Sequence, residues 1–152
     1  MLLTTTRRPS TRRSAFTLLE VLVVVAILVI LATVATVATT RYIEEARKSK
    51  AQLGCTSLSQ AIEAYQMSSS NPGVNDADRL PQDPMNLVTP SFGGTSFLKN
   101  GESDILDPWG KRYSFEPKTR PDGTVYIWVH TTSPDGTQIS QFGIGPVNSQ
   151  PK

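Results

Sequence analysis

Cysteine and histidine are nearly absent from this chain: Cys55 and His130 are the only ones in 152 residues. No intrachain disulfide and no cysteine-built metal centre can form, and a histidine cluster or histidine-based proton relay lacks its parts. Cys55 reads as a small, partly buried side chain, with an intersubunit disulfide as the alternative. His130 reads as an exposed strand residue. No glycine-rich loop with a following lysine is present to cradle a phosphate. Acidic residues are missing from residues 1–15, which carry Arg7, Arg8, Arg12 and Arg13. Charge of either sign is missing from Val21 to Ala38, and proline is missing from Phe16 to Met67. Hydrophobic residues make up only 38% of the chain and crowd towards the N-terminus. The remainder therefore builds a small domain with a modest core.

The net charge of +2 is unevenly placed. Without the four early arginines, eleven basic side chains face thirteen acidic ones, a net charge of −2. The basic character thus belongs to the first fifteen residues. Ahead of an apolar run, it reads as a membrane-orienting flank rather than a nucleic-acid arm. The run VLVVVAILVILATVATVA lacks charge over about 18 residues, and Phe16 to Leu19 extend it to about 23, enough to span a hydrocarbon core of about 30 Å. The arginines predict an N-terminus inside and a C-terminal domain outside. A secretory signal peptide would have a shorter apolar region ending at a small-residue cleavage site. A plain single-span anchor is the other rival, and Glu20 argues against it.

Glu20 stands at the head of the apolar run, where a carboxylate is costly in lipid and implies a partner. If the chain is cut between Ala15 and Phe16, the new α-amino group at Phe16 is a cation at matching depth. In a staggered bundle of such helices, Glu20 of one subunit meets the amine of its neighbour, which relieves much of the cost of burying either. The alternative is that Glu20 snorkels to the interface.

SAFTLLEVLVVVAILVILA closely resembles the prepilin-peptidase motif of type IV pilins and type II secretion pseudopilins. The resemblance implies cleavage before Phe16, N-methylation of Phe16, and a role for Glu20 in assembly. The sequence departs from the family pattern at Ala15, where glycine is usual, and at Val37, where many members carry a helix-kinking proline.

Beyond the apolar run, Ile43, Ala46, Leu53, Ser57, Leu58, Ala61, Ile62 and Tyr65 recur at spacings of three and four. This predicts an apolar stripe, with Glu44, Glu45, Arg47, Lys48 and Lys50 on the other face. One helix of roughly 50 residues follows, about 75 Å long. Gly54, its only glycine, costs about 1 kcal/mol. Ser68 to Gly73 ends the helix with turn residues. Residues 71–105 are loop-rich, with short helical turns expected around Met85 to Val88. Strands are expected at Arg112–Glu116, Thr124–Thr131 and, more weakly, Gln138–Ile144, separated by Pro121-Asp122-Gly123 and Pro134-Asp135-Gly136. The fold expected is α+β and type IV pilin-like: a long N-terminal helix and a small C-terminal antiparallel sheet of about three strands. The expected divisions are a leader over 1–15, a transmembrane or filament-core half-helix over 16–40, an amphipathic half-helix over 41–67, and a small domain over 68–152.

Asp107-Pro108-Trp109-Gly110, followed by Lys111-Arg112-Tyr113, is similar to a signature of the major pseudopilin, the G subunit of type II secretion systems. Asp107 and Gly110 suit a turn, Pro108 fixes its backbone and Trp109 anchors it. Family members bind calcium in a late loop whose start resembles Ser133-Pro134-Asp135-Gly136. Here Thr137-Gln138-Ile139-Ser140-Gln141 follows without an acid, and calcium prefers six to eight oxygens with several carboxylates. A calcium site at Ser133 and Asp135 and a plain hairpin turn both stand, the turn favoured. Asp104 and Asp107 read as loop caps rather than a catalytic pair. Trp109, Tyr126 and Trp128 lack a basic surround in the sequence and read as core or interface side chains, so no nucleic-acid partner is expected. The resemblance implies a subunit, not an enzyme. It would wait in the inner membrane among lipid, with its domain in the periplasm, after processing by prepilin peptidase. An assembly platform and secretion ATPase would then add it to a homopolymer that includes minor pseudopilins. An adhesion or DNA-uptake pilus is the alternative filament.

Overall fold

The computed structural model of the protein describes residues 16–151, the side chains of residues 37 and 38 excepted. The arginine-rich residues 1–15, expected to form a leader ending at Ala15, lie outside the described residues. The chain divides into two compact units, one ending at Arg41 and one running from Tyr42 to Lys152. Helix α1, Leu18–Met67, contributes to both.

In the first unit α1 is apolar all round and its described side chains are exposed. It is the one helix among the described residues long and apolar enough to cross a membrane. Its start is set by Thr17, whose Oγ1 accepts the Glu20 backbone N–H at 3.3 Å. Thr17-Leu18-Leu19-Glu20 has the capping-box pattern, and Glu20 lies in the first turn, where a negative charge complements the helix dipole. Further along, the hydroxyls of Thr33, Thr36, Thr39 and Thr40 donate to carbonyls four residues back at 2.8–2.9 Å. These threonines therefore carry no unmet donor into an apolar surrounding.

In the second unit α1 is the spine of an α+β domain. Ala51, Cys55, Leu58, Ile62 and Tyr65, at spacings of four, three, four and three, are buried. Cys55, Leu58, Ile62 and Tyr65 pack against Leu80, Leu87, Leu98, Ile105, Tyr113, Ile127 and Val129. This face differs from the stripe expected from sequence. Leu53 is 70% exposed, and Ile43, Ala46 and Ser57 also face outward, whereas Ala51 and Cys55 face in. Asn71 closes the helix: its Nδ2 donates to Arg79 O at 2.9 Å and to Tyr65 O at 3.1 Å, a last-turn carbonyl that also accepts the Ser68 N–H at 3.3 Å.

The loop-rich stretch holds the short helix α2, Met85–Val88, and a 3-10 turn at Gly101–Ile105. Phe92 and Phe97 pin it to Tyr65, with ring centroids 5.0 and 5.4 Å from the tyrosine. The sheet follows, with strands β1 Ser114–Thr119, β2 Val125–Thr132, β3 Gln138–Ser140 and β4 Gly143–Ile144. They form an antiparallel meander in the order β1-β2-β3-β4. The weak third strand expected from sequence is thus two short strands joined by a tight reversal, which makes four. Pro117 lies within β1, tolerated because that strand is an edge. Ile127 and Val129 of β2 face α1. On the other face Trp128 is covered by the C-terminal segment, its Nε1 donating to Ser149 O at 2.9 Å.

Candidate functional site

Two regions carry the residues singled out from sequence: the head of α1, and a pair of turns that grip its second half. At the head, Phe16 is 79% exposed and Glu20 is exposed one helical turn on. From Val21 to Val34 every side chain is exposed as well. The Glu20 carboxylate thus heads a run of exposed apolar side chains. Thr17 was missed by sequence reasoning. The signal that could have found it is the Thr-x-x-Glu spacing directly before an apolar run.

Asp107-Pro108-Trp109-Gly110 forms a tight turn before β1. Gly110 N–H donates to Asp107 O at 3.0 Å, Asp107 N–H donates to Lys111 O at 2.7 Å, and Gly110 takes φ +83°, a conformation that favours glycine. Asp107 is buried and fully used. Its Oδ1 accepts the N–H groups of Trp109 (3.0 Å) and Lys111 (2.8 Å), and its Oδ2 accepts the Thr131 hydroxyl at 2.6 Å. Thr131 belongs to β2, so this carboxylate ties the turn to the sheet. Trp109 ties it to the helix: its Nε1 reaches Glu44 Oε2 at 3.4 Å, while Glu44 Oε1 accepts Arg47 at 2.8 Å. Asp104 also caps locally, accepting both the backbone and side-chain N–H groups of Asn100 at 2.9 Å.

Ser133 to Thr137 is the β2–β3 turn, with Gly136 N–H donating to Ser133 O at 2.9 Å and Ser133 N–H to Thr137 O at 3.0 Å. Asp135 Oδ1 accepts the Ser133 hydroxyl and the Thr137 N–H. Its Oδ2 accepts the Lys48 ammonium, which also donates to Thr137 Oγ1 at 3.3 Å. The ammonium, with help from Ser133 and Thr137, holds the Asp135 carboxyl well below the usual carboxylate range. Asp135 in turn raises the pKa of Lys48. Calcium does not fit this turn. Both oxygens of its single carboxylate are engaged, a cation is already in contact with one of them, and no group of three His, Cys, Asp or Glu side chains is gathered among the described residues.

Glu44 and Lys48, placed on the outward face by sequence, are half-buried. They continue the buried series 51, 55, 58, 62, 65 backwards by three and four, so they point at the sheet side and are spent on the two turns. His130 also departs from expectation. Its side chain is 14% exposed, packed at a tilt of 46° against Trp128 with ring centroids 4.1 Å apart and set 3.4 Å from Glu116 Oε1. Burial lowers its pKa, Glu116 opposes this and Lys118 adds to it. Of the aromatic residues singled out from sequence, Trp128 and Tyr126 do have basic neighbours, contributed by β1 and the turn after it. Lys118 lies 5.4 Å from the Trp128 ring centroid and Arg120 4.6 Å from that of Tyr126.

Neither the curated proteins nor the solved structures give a match to the chain. A family model does match residues 10–36, which span the end of the basic leader, the Ala15–Phe16 junction, Glu20 and most of the apolar run. The chain therefore carries the prokaryotic N-terminal methylation motif, the signal of a pilin-like, membrane-anchored precursor.

Proposed function

We propose that this chain is the major pseudopilin of a type II secretion system, a structural subunit rather than an enzyme. Prepilin peptidase cuts it before Phe16 and methylates the new amine. The chain waits in the inner membrane with its second unit in the periplasm. It is then added, by an assembly platform and a cytoplasmic ATPase, to a filament shared with minor pseudopilins. The observation that carries this reading is the head of α1: a carboxylate leading a helix that is apolar on every side and exposed on every side. In lipid such a surface is matched, and in a filament it is replaced by equivalent helices packed closely together. The Asp107–Gly110 turn supports the secretion branch through its resemblance to the G-subunit signature.

The mature N-terminus, read by mass spectrometry, tests the processing step. A chain beginning at methylated Phe16 is expected, and an intact Met1 refutes it. Glu20→Ala tests the assembly step. It leaves the amine of the neighbouring Phe16 without its counter-charge, so filament yield should fall about a hundredfold or more. Assembly at the wild-type level would remove Glu20 from the mechanism. A second reading, a DNA-uptake pilus, draws on Arg120, exposed beside Tyr126. Deletion separates the two: loss of protein export supports secretion, and loss of transformation supports uptake.

A further inference from the structure

Among the described residues, the chain builds the same turn three times. Asp107-Pro108-Trp109-Gly110-Lys111, Arg120-Pro121-Asp122-Gly123-Thr124 and Ser133-Pro134-Asp135-Gly136-Thr137 share one pattern. In each, the glycine N–H donates to the carbonyl three residues back, the first N–H donates to the fifth carbonyl, and the glycine takes φ between +83° and +85°. The Asp122 turn shows what this geometry needs. Asp122 Oδ1 accepts the Thr124 N–H at 2.9 Å and its hydroxyl at 2.6 Å, and the turn closes on hydrogen bonds within itself. The Asp135 turn repeats this, with Oδ1 taken by Ser133 and Thr137, and adds one thing: Oδ2 holds the Lys48 ammonium.

We propose that Lys48 occupies, from within the chain, the cation position of the β2–β3 turn, so that this turn is clasped to α1 without any metal. Three observations meet here. The turn geometry closes without a cation, as the Asp122 turn shows. The lysine is not a solvent-facing residue that happens to be near: its side chain is 20% exposed and extends the buried face of α1 formed by Ala51 and Cys55. The nearest other acid on that face, Glu44, is engaged with Arg47 and Trp109. A divalent ion would have to displace the ammonium against like-charge repulsion and then find several further oxygens. The clasp therefore holds two strands of the sheet to the helix under any calcium concentration. This holds whether the filament secretes protein or takes up DNA.

Thermal unfolding of the detergent-solubilised full chain tests this, followed by near-ultraviolet circular dichroism with about 1 mM calcium or with a chelator. The wild-type midpoint should be the same in both. A resident site filled a hundredfold above its dissociation constant would instead raise it by roughly 10 °C, and that result overturns the proposal. Lys48→Met keeps the stem and removes the charge. It should lower the midpoint by roughly 2–5 °C in both buffers. A Lys48→Met midpoint equal to wild type overturns the clasp. The readout is the folded domain itself, so its outcome is separate from any test of filament assembly.

Discussion

Gly54 lies in the middle of α1, where helix propensity alone says that alanine should be better by about 1 kcal/mol. The structure reverses that sign. A Cβ built on Gly54 would lie within overlap distance of the Tyr113 hydroxyl oxygen and 2.8 Å from its Cζ. Tyr113 cannot withdraw cheaply: it is buried in the core, and its hydroxyl donates to Ala51 O at 3.2 Å. Forcing the ring aside costs about 1–3 kcal/mol for overpacking. Leaving a buried hydroxyl unpaired costs about 1–3 kcal/mol more. Set against the propensity gain, Gly54→Ala should destabilise the domain by roughly 2–4 kcal/mol, a fall in midpoint of at least about 8 °C. Urea unfolding of the full chain, followed by tryptophan fluorescence, gives the value directly. The Tyr113→Phe background sharpens the test. Removing the hydroxyl removes the closest overlap, so the alanine should cost clearly less there, and the two changes should be non-additive by about 1 kcal/mol or more. If Gly54→Ala is neutral or stabilising, the packing of Tyr113 across the helix is wrong.

The Cys55 thiol is buried and its pKa is pushed up to about 12, first by desolvation and then by the Asp107 charge. It should resist alkylation at pH 8 in the folded chain and react fully in urea. Native labelling at the rate of a free thiol would refute its burial, as would an intersubunit disulfide in oxidised filaments. The same shift has a sign in stability. Between about pH 9 and 12 the unfolded chain releases this proton and the folded chain keeps it, so stability should fall as pH rises through that window, measured by urea midpoints. Asp107→Ala strips the acceptor from Trp109 N–H, Lys111 N–H and the Thr131 hydroxyl together. A loss of about 3 kcal/mol is expected in denaturant unfolding, and a change below about 1 kcal/mol would show that the carboxylate does not hold the turn.

The head of the chain was legible because its physics is one-dimensional. A basic flank, an uncharged run and one acid at a fixed offset are all visible without knowing what folds onto what. The turns were legible for a similar reason: Pro-x-Gly fixes backbone angles locally, so Pro108–Gly110, Pro121–Gly123 and Pro134–Gly136 could be read before any tertiary contact was known. What could not be read was the use of residues whose meaning depends on a distant partner. His130 looked exposed because β2 alternates, yet β1 supplies Glu116 beside it and the Trp128 ring packs against it. Trp128 itself faces away from the core and is still buried, because Ser149 brings the C-terminal segment over that side of the sheet.

The second half of α1 shows most clearly why hydropathy misled. A stripe chosen by apolarity includes Leu53 and omits Lys48, because leucine looks like core and lysine looks like solvent. A stripe chosen by geometry runs 44, 48, 51, 55, 58, 62, 65. It changes character along its length, from charged to small to large and apolar. The charged end is not a defect in that stripe. Towards Glu44 the helix meets two turns, which present Trp109 Nε1 and the Asp135 carboxylate where the sheet's core face no longer reaches. A polar group met on a partly buried face is best answered by a complementary charge, so glutamate and lysine occupy the positions that further from the membrane segment belong to leucine and isoleucine. Leu53 is left outside that arrangement. It is exposed, as is Leu106 on the neighbouring loop, and the filament reading predicts burial of Leu53 upon assembly. A cysteine placed at position 53 and followed by labelling should be reactive in the detergent-solubilised chain and protected in filaments. Equal reactivity in both would show that this face stays outside the subunit contacts.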